Sequence, residues 1–302
     1  MQNATDLPIL AAAQLMAADL PPRSDLLTPW LASDTAALVY GPPGIGKSFL
    51  ALGIAWAVAQ GGNQGGSFLG WRAPKPRRVL YVDGEMGAAE LRDRLALFGK
   101  LPDNLSIVPH DRAGGARLDL GEEDGIVRLM AGWNDPQLLV LDTLSALTPS
   151  ACAGRDPERR DGLQSFLLHL KQSRRAVLMV DHANKRGALN GTAQRAHAAD
   201  LVMALRPPEA GAVGGNARFE IHFEKSRQRV SSFPIVAELE TVDGAGVWRW
   251  DAACRVDRLA ALVRQGLSRS DVCETLGIER SWFFRLKAEA RMRGLLPPKG
   301  TS

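Results

Sequence analysis

The sequence predicts an α/β fold, a mainly parallel central sheet followed by a small all-α module. Two observations carry this. Between residues 36 and 205, short aliphatic runs alternate with longer amphipathic stretches, the pattern that builds βαβ units. After residue 251 the strand-like runs stop and three short helical patterns follow, rich in basic residues. At roughly 150 residues per domain, 302 residues suit one large domain with a small appendage.

The elements follow in order. Residues 7–20 read as a short helix, broken by Pro21, Pro22 and Pro29, which make the stretch an approach segment. Strands are expected at 37–40, 78–83, 105–108, 138–142, 176–181 and 201–205. Helices fit between them at 47–60, 88–98, 122–132 and 161–172. Residues 218–225 alternate as a half-buried strand, and 233–239 and 247–250 extend it in antiparallel fashion. In the tail, 256–265 form a first helix, Ser268 caps a second that ends at Leu276, Gly277 turns the chain, and 281–293 form a third. The divisions are 1–35, 36–252 and 253–302.

Composition narrows the class. Hydrophobic residues make up 45% and charged residues 23%, which describes a globular chain rather than a disordered or fibrous one. The net charge of +4 conceals a split: residues 255–302 carry +5 and the rest −1. Any electrostatic signal for nucleic acid therefore sits in the last fifty residues. Cys152, Cys254 and Cys273 are too few and too dispersed for a disulfide framework or a CxxC metal site. The apolar run at 49–59 is too short for a bilayer, and the first twenty residues lack a basic n-region, so a cytoplasmic protein without a membrane partner is expected.

The strongest motif is Gly41-Pro42-Pro43-Gly44-Ile45-Gly46-Lys47-Ser48, followed by Phe49, set between an apolar strand and an amphipathic helix. Small residues let backbone N–H groups turn inward to cradle the phosphates of ATP, and the helix adds its positive end. Lys47 reaches the β- and γ-phosphates, and the Ser48 hydroxyl ligates Mg²⁺. Asp142, closing the aliphatic run Leu138-Leu-Val-Leu, is the second metal ligand, with Thr143 and Ser145 as supporting hydroxyls. Val79-Leu-Tyr-Val-Asp83-Gly-Glu85 offers two carboxylates to orient water. Glu85 reaches further into the cleft and is favoured over Asp83 as catalytic base. His182, ending Val177-Leu-Met-Val-Asp181, stands where the γ-phosphate is expected and is a candidate nucleotide sensor.

The order and spacing of GPPGIGKS, YVDGEM, LLVLDTLSAL, VDHANK and Glu224-Lys225-Ser226-Arg227 resemble a RecA-fold P-loop ATPase. The closer resemblance is to the hexameric plasmid replicative helicases of the RepA type, within the DnaB/KaiC-like superfamily of AAA family ATPases, and it spans about residues 20–250. It implies that Glu85 polarises water, that His182 contacts the γ-phosphate, and that Lys225 and Arg227 reach the ATP of a neighbouring subunit as a finger in trans. It also implies a homo-hexamer or other ring, with the basic loop carrying Lys185, Arg186 and Arg195 facing a central channel that holds single-stranded nucleic acid. That loop has no aromatic residue to stack bases, so only a backbone-tracking grip is expected.

The tail, from Gly266 to Arg285, reads as a helix-turn-helix with Val272, Leu276, Ile278 and Phe283 or Phe284 as its core. Arg280, Ser281, Arg285 and Lys287 would face duplex DNA. The expected function is an Mg²⁺-dependent ATPase that translocates on or unwinds nucleic acid in plasmid or mobile-element replication. The alternative is an ATP-controlled DNA-binding regulator or loader without helicase activity.

Overall fold

The computed structural model describes residues 9–20, 22–62, 66–112, 117–150, 157–183, 198–208, 217–227, 234–250, 253–276, 278–292 and 294–297. Among these, nine strands form one sheet. Six run parallel: β3 (Ala36–Gly41), β6 (Val79–Asp83), β7 (Leu105–Val108), β8 (Leu138–Asp142), β9 (Ala176–His182) and β10 (Leu201–Arg206). Three more, β11 (Ala217–Ser226), β12 (Ile235–Val242) and β13 (Ala245–Trp250), continue from β10 in antiparallel fashion. The order across the sheet is β13-β12-β11-β10-β3-β9-β8-β6-β7. The strand that leads into the phosphate loop is thus two places from the one that ends in Asp142.

Both faces of the parallel strands are covered, which is why these strands read as unbroken aliphatic runs. Ala37 and Val39 of β3 point to one core with Val79, Tyr81, Leu138 and Val140; Leu38 and Tyr40 point to the other with Leu80, Val82, Leu139 and Leu141. The first core is filled by α2 (Lys47–Gln60), whose small and aliphatic residues are buried almost all round. Gly53 is required there, since a Cβ would lie 2.2 Å from the Phe68 ring. The second core takes Leu163, Phe166 and Leu170 of α6 (Pro157–Gln172) and Leu129 of α4 (Glu123–Ala131). The antiparallel strands bury alternate residues, as period-two patterning requires: Ala217, Phe219 and Ile221 are inside.

The structure adds elements that no run in the sequence signals. A hairpin of β1 (Asp25–Leu27) and β2 (Leu31–Ala32) and another of β4 (Ser67–Phe68) and β5 (Trp71–Arg72) pack on the first core. Their aromatic residues interlock, with Trp30 edge-on to Trp71 at 5.2 Å and Phe68 edge-on to Trp248 at 5.0 Å. Residues 25–32 therefore contribute core, not only approach. The helix expected over 7–20 is α1 (Ala12–Ala17), with no buried residue; residues 1–8 lie outside the described part. The helix after β6 is α3 (Gly87–Ala96), and a single-turn α5 (Leu144–Leu147) follows β8.

The tail forms α7 (Ala253–Arg264), α8 (Arg269–Leu276) and α9 (Arg280–Met292) around their own core of Val256, Leu259, Val272, Leu276, Phe283 and Leu286. Ser268 caps α8 as expected: its Oγ accepts from the Asp271 N–H and its N–H donates to the Asp271 carboxylate, both at 3.3 Å. Phe283 is the core aromatic and Phe284 is 55% exposed. No helix among the described residues is long and apolar enough to cross a membrane.

Candidate active site

The loop between β3 and α2 has the shape its glycines permit. Gly44 and Gly46 have φ of 74° and 108°, and a Cβ on Gly46 would sit 2.5 Å from the Ala217 Cβ. At the loop's start, a Cβ on Gly41 would meet the Leu205 carbonyl at 2.8 Å. Only glycine serves at these two close approaches. Pro43 and Gly44 are exposed, and Pro42, Ile45, Ser48 and Phe49 are half-buried. The Arg94 guanidinium lies over the Phe49 ring at 4.7 Å.

Lys47 is only 5% exposed. Its Nζ donates to the carbonyls of Gly41 at 3.1 Å and Pro42 at 2.9 Å. Burial pulls its pKa down, while Asp142, Glu85 and Asp181 pull it back up. A buried ammonium held by neutral carbonyls gains when a phosphate arrives, because the new acceptor carries the opposite charge and adds Coulomb attraction in a low-dielectric setting.

Asp83, Asp142 and Asp181 end three adjacent parallel strands and are all buried. Asp83 and Asp142 are register partners. Their environments differ. Asp83 accepts backbone N–H groups from Glu85 and Met86 on Oδ1 and from Gly87 and His110 on Oδ2. Burial would raise its pKa, but these four donors hold it below the ordinary value. Asp83 is thus an anchor for the turn into α3. Asp142 has one firm partner, the buried Tyr81 hydroxyl, which donates to Oδ2. Its Oδ1 is buried with no hydrogen-bond partner among the described residues. Burial raises its pKa; Tyr81 and Ser48 lower it, and the charges of Asp83 and Glu85 raise it further.

Glu85 is the most exposed carboxylate at this edge, its side chain 46% exposed. Its Oε1 accepts from the Thr143 hydroxyl at 2.7 Å and lies 3.3 Å from His182 Nε2. His182 Nδ1 is buried and has no partner among the described residues. The cleft edge therefore brings together Lys47, Ser48, Asp142, Glu85 and His182, as the sequence predicts. Tyr81 is a contributor the sequence reading missed; its signal was the one polar-tipped side chain within Val79-Leu-Tyr-Val-Asp83.

Lys225 and Arg227 are not at this edge. Val202 pairs with Lys225 and Leu201 with Ser226 on one side, and Leu201 with Ala37 on the other, so across β10 the end of β11 is level with the start of β3. Gly41 is at the far end of β3, roughly 16 Å along a strand at 3.3 Å per residue. There Arg227, 65% exposed, pairs with Asp200 at 3.0 Å. Arg280, Ser281 and Arg285 are exposed on α9, while Lys287 is half-buried over the Phe283 ring at 5.5 Å. Lys185, Arg186 and Arg195 lie outside the described residues.

An orphaned buried carboxylate oxygen, a neighbouring serine hydroxyl and a backbone cradle with two positive-φ glycines fit Mg²⁺ and a nucleotide polyphosphate, with Ser48 and Asp142 as the holding residues.

Residues 3–188, which include this loop and all three strand-end carboxylates, match the family model for the AAA domain. The chain belongs to the AAA domain family. Among curated proteins it is similar to the DNA repair protein RadA of Halalkalibacterium halodurans, 27% identical over 169 residues, covering 55% of this chain and 32% of RadA. The RadA of Brucella abortus is 24% identical over 172 residues, covering 56% and 32%. The chain spans about a third of the length of these relatives. In fold it is similar to the flagellar accessory protein FlaH of Methanocaldococcus jannaschii, with a TM-score of 0.51 at 14% identity, covering 72% of this chain and 89% of FlaH. This AAA domain protein is a RecA-fold P-loop ATPase.

Proposed function

We propose that this AAA domain protein hydrolyses ATP with Mg²⁺ in an assembled ring and uses the hydrolysis to move along or separate DNA, in plasmid or mobile-element replication. The observation that carries the reading is the division of the sheet into two edges. Lys47, Ser48, Asp142 and Glu85 share one, and Arg227 stands exposed at the other, too far to serve its own nucleotide.

In this mechanism the loop N–H groups and Lys47 bind the β- and γ-phosphates. Ser48 and Asp142 would hold Mg²⁺, which when bound would supply positive charge to offset that developing on the phosphate oxygens. Glu85, turned to the cleft by Thr143, orients water and takes its proton. His182 sits on the same Glu85 oxygen, so a γ-phosphate that engages the imidazole alters the restraint on the base. Arg227 of a neighbouring subunit, with Lys225, stabilises the transferring phosphoryl group. The similarity to RadA, named a DNA repair protein, supports a DNA-linked role. Lys185, Arg186 and Arg195 are proposed as backbone contacts in the channel.

A second reading is an ATP-controlled DNA-binding regulator or loader. The separate core of the three tail helices favours it, since a capped module presenting Arg280, Ser281 and Arg285 suits selection of a duplex site. ATPase rate against protein concentration tests the first reading. Turnover per subunit should rise with assembly, and Arg227→Ala should remove that rise; a rate independent of concentration and of Arg227 overturns it. Unwinding of a forked duplex separates motor from regulator, and footprinting with and without residues 253–302 tests the tail.

A further inference from the structure

The edge of the sheet remote from the nucleotide holds a buried carboxylate that the mechanism above does not use. Asp200, 5% exposed, precedes β10 and has three partners. Its Oδ2 accepts the Ala36 N–H at 3.1 Å, both oxygens lie 2.8 Å from Lys171 Nζ at the end of α6, and Oδ1 lies 3.0 Å from Arg227 Nη1. A main-chain bond ties the same two segments, the Arg227 N–H donating to the Asp200 carbonyl at 3.1 Å. Asp200 is rigid because β3 and α6 fix it from the interior. The Arg227 side chain is tethered to it through Nη1 and is 65% exposed.

We propose that Asp200 is the positioning residue for Arg227: it holds one edge of the guanidinium fork so that the remaining donors face outward toward a neighbouring subunit's phosphates. This rests on the reading of Arg227 as a finger acting in trans. A free arginine side chain would lose rotamer entropy on reaching across an interface, and a pre-set fork loses less. Ordering the finger before the transition state forms also avoids the loss of rate that follows small misplacements of a catalytic group. Lys171 completes the device by fixing the carboxylate from the other side, linking the finger to the helix that leads into β9 and His182.

The test uses mixed subunits of the full chain. Asp200→Asn should lower assembly-dependent kcat by about 10- to 100-fold while ATP-analogue binding is retained. It should cause no further loss in an Arg227→Ala background. Mixing Asp200→Asn with Lys47→Ala should restore turnover, because the second subunit lends a well-held finger to the first one's intact nucleotide loop. Asp200→Glu, which keeps the charge but displaces the guanidinium by one methylene, carries the same test if the Asn variant folds poorly. Full kcat in both Asp200 variants, additive loss with Arg227→Ala, or rescue of Arg227→Ala but not of an Asp200 variant by Lys47→Ala overturns the proposal. If Arg227→Ala itself keeps full activity, it is the trans-finger reading that fails.

Discussion

The two edges of the parallel sheet treat buried carboxylates in opposite ways. At the amino-terminal edge Asp200 is satisfied: Lys171, the Ala36 N–H and Arg227 surround it, and although burial works to raise its pKa, these partners hold it below the ordinary value. At the carboxy-terminal edge Asp142 keeps one buried oxygen unpaired beside Asp83 and Glu85, and its pKa is raised by burial first and by those charges next. Stability favours the first arrangement; a buried carboxylate oxygen without a hydrogen-bond partner is costly. Under the proposed function a cation bound at Asp142 would satisfy the second, and the proposed chemistry is set at this edge for that reason.

The most severe break comes at that edge. Glu85→Gln should lower kcat by about 10²- to 10⁴-fold and leave nucleotide binding intact, read by steady-state turnover beside analogue titration. Equal loss of binding would make Glu85 a structural residue. At the other edge, Asp200→Asn should cost about 3 kcal/mol of unfolding free energy at neutral pH, since it strands Lys171 near a neutral amide. Because the folded pKa of Asp200 is depressed, its contribution is present above about 3.9, the unfolded value, and is lost as pH falls through the folded value. Urea melts at pH 7 and pH 3 should show the gap to wild type closing at the lower pH.

Gly46→Ala forces a Cβ into Ala217 at positive φ, and should cost about 1–3 kcal/mol in the same melts together with nucleotide binding. The smallest effect sharpens the comparison most. Asp142 has a raised folded pKa, so its charge destabilises the ligand-free protein above the unfolded value, and this penalty grows as pH rises through the folded value. Asp142→Asn should therefore leave the ligand-free protein at least as stable as wild type at pH 7, by up to about 1 kcal/mol, yet abolish the thermal shift given by Mg²⁺ with ATP. A large loss of ligand-free stability would mean that Asp142 is paired like Asp200.

Much of this was legible in the chain. The bounds expected for the helix over 47–60 are those of α2, Lys47–Gln60, because a glycine on each side marks its ends; the helix is buried almost all round, however, and not amphipathic as expected. Strands ending in Asp83, Asp142 and Asp181 were equally clear. The two small hairpins were not: β1, β2, β4 and β5 are two or three residues each, too short for period-two patterning to register. Phe283 and Phe284 are indistinguishable in composition, and only the turn of α9 points one inward.

By itself, the sequence determined the glycine-rich loop Gly41–Ser48 and the strands that close on Asp83 and Asp142, since loop composition and strand period are local properties. What the tertiary structure decided is pairing across the sheet. Strand order brings Tyr81 to Asp142 and Thr143 to Glu85, and carries Arg227 to the edge remote from the phosphate-loop motif and onto Asp200. The Tyr81–Asp142, Thr143–Glu85 and Arg227–Asp200 contacts join residues 61, 58 and 27 positions apart, and no local pattern records which of several carboxylates will receive such a partner.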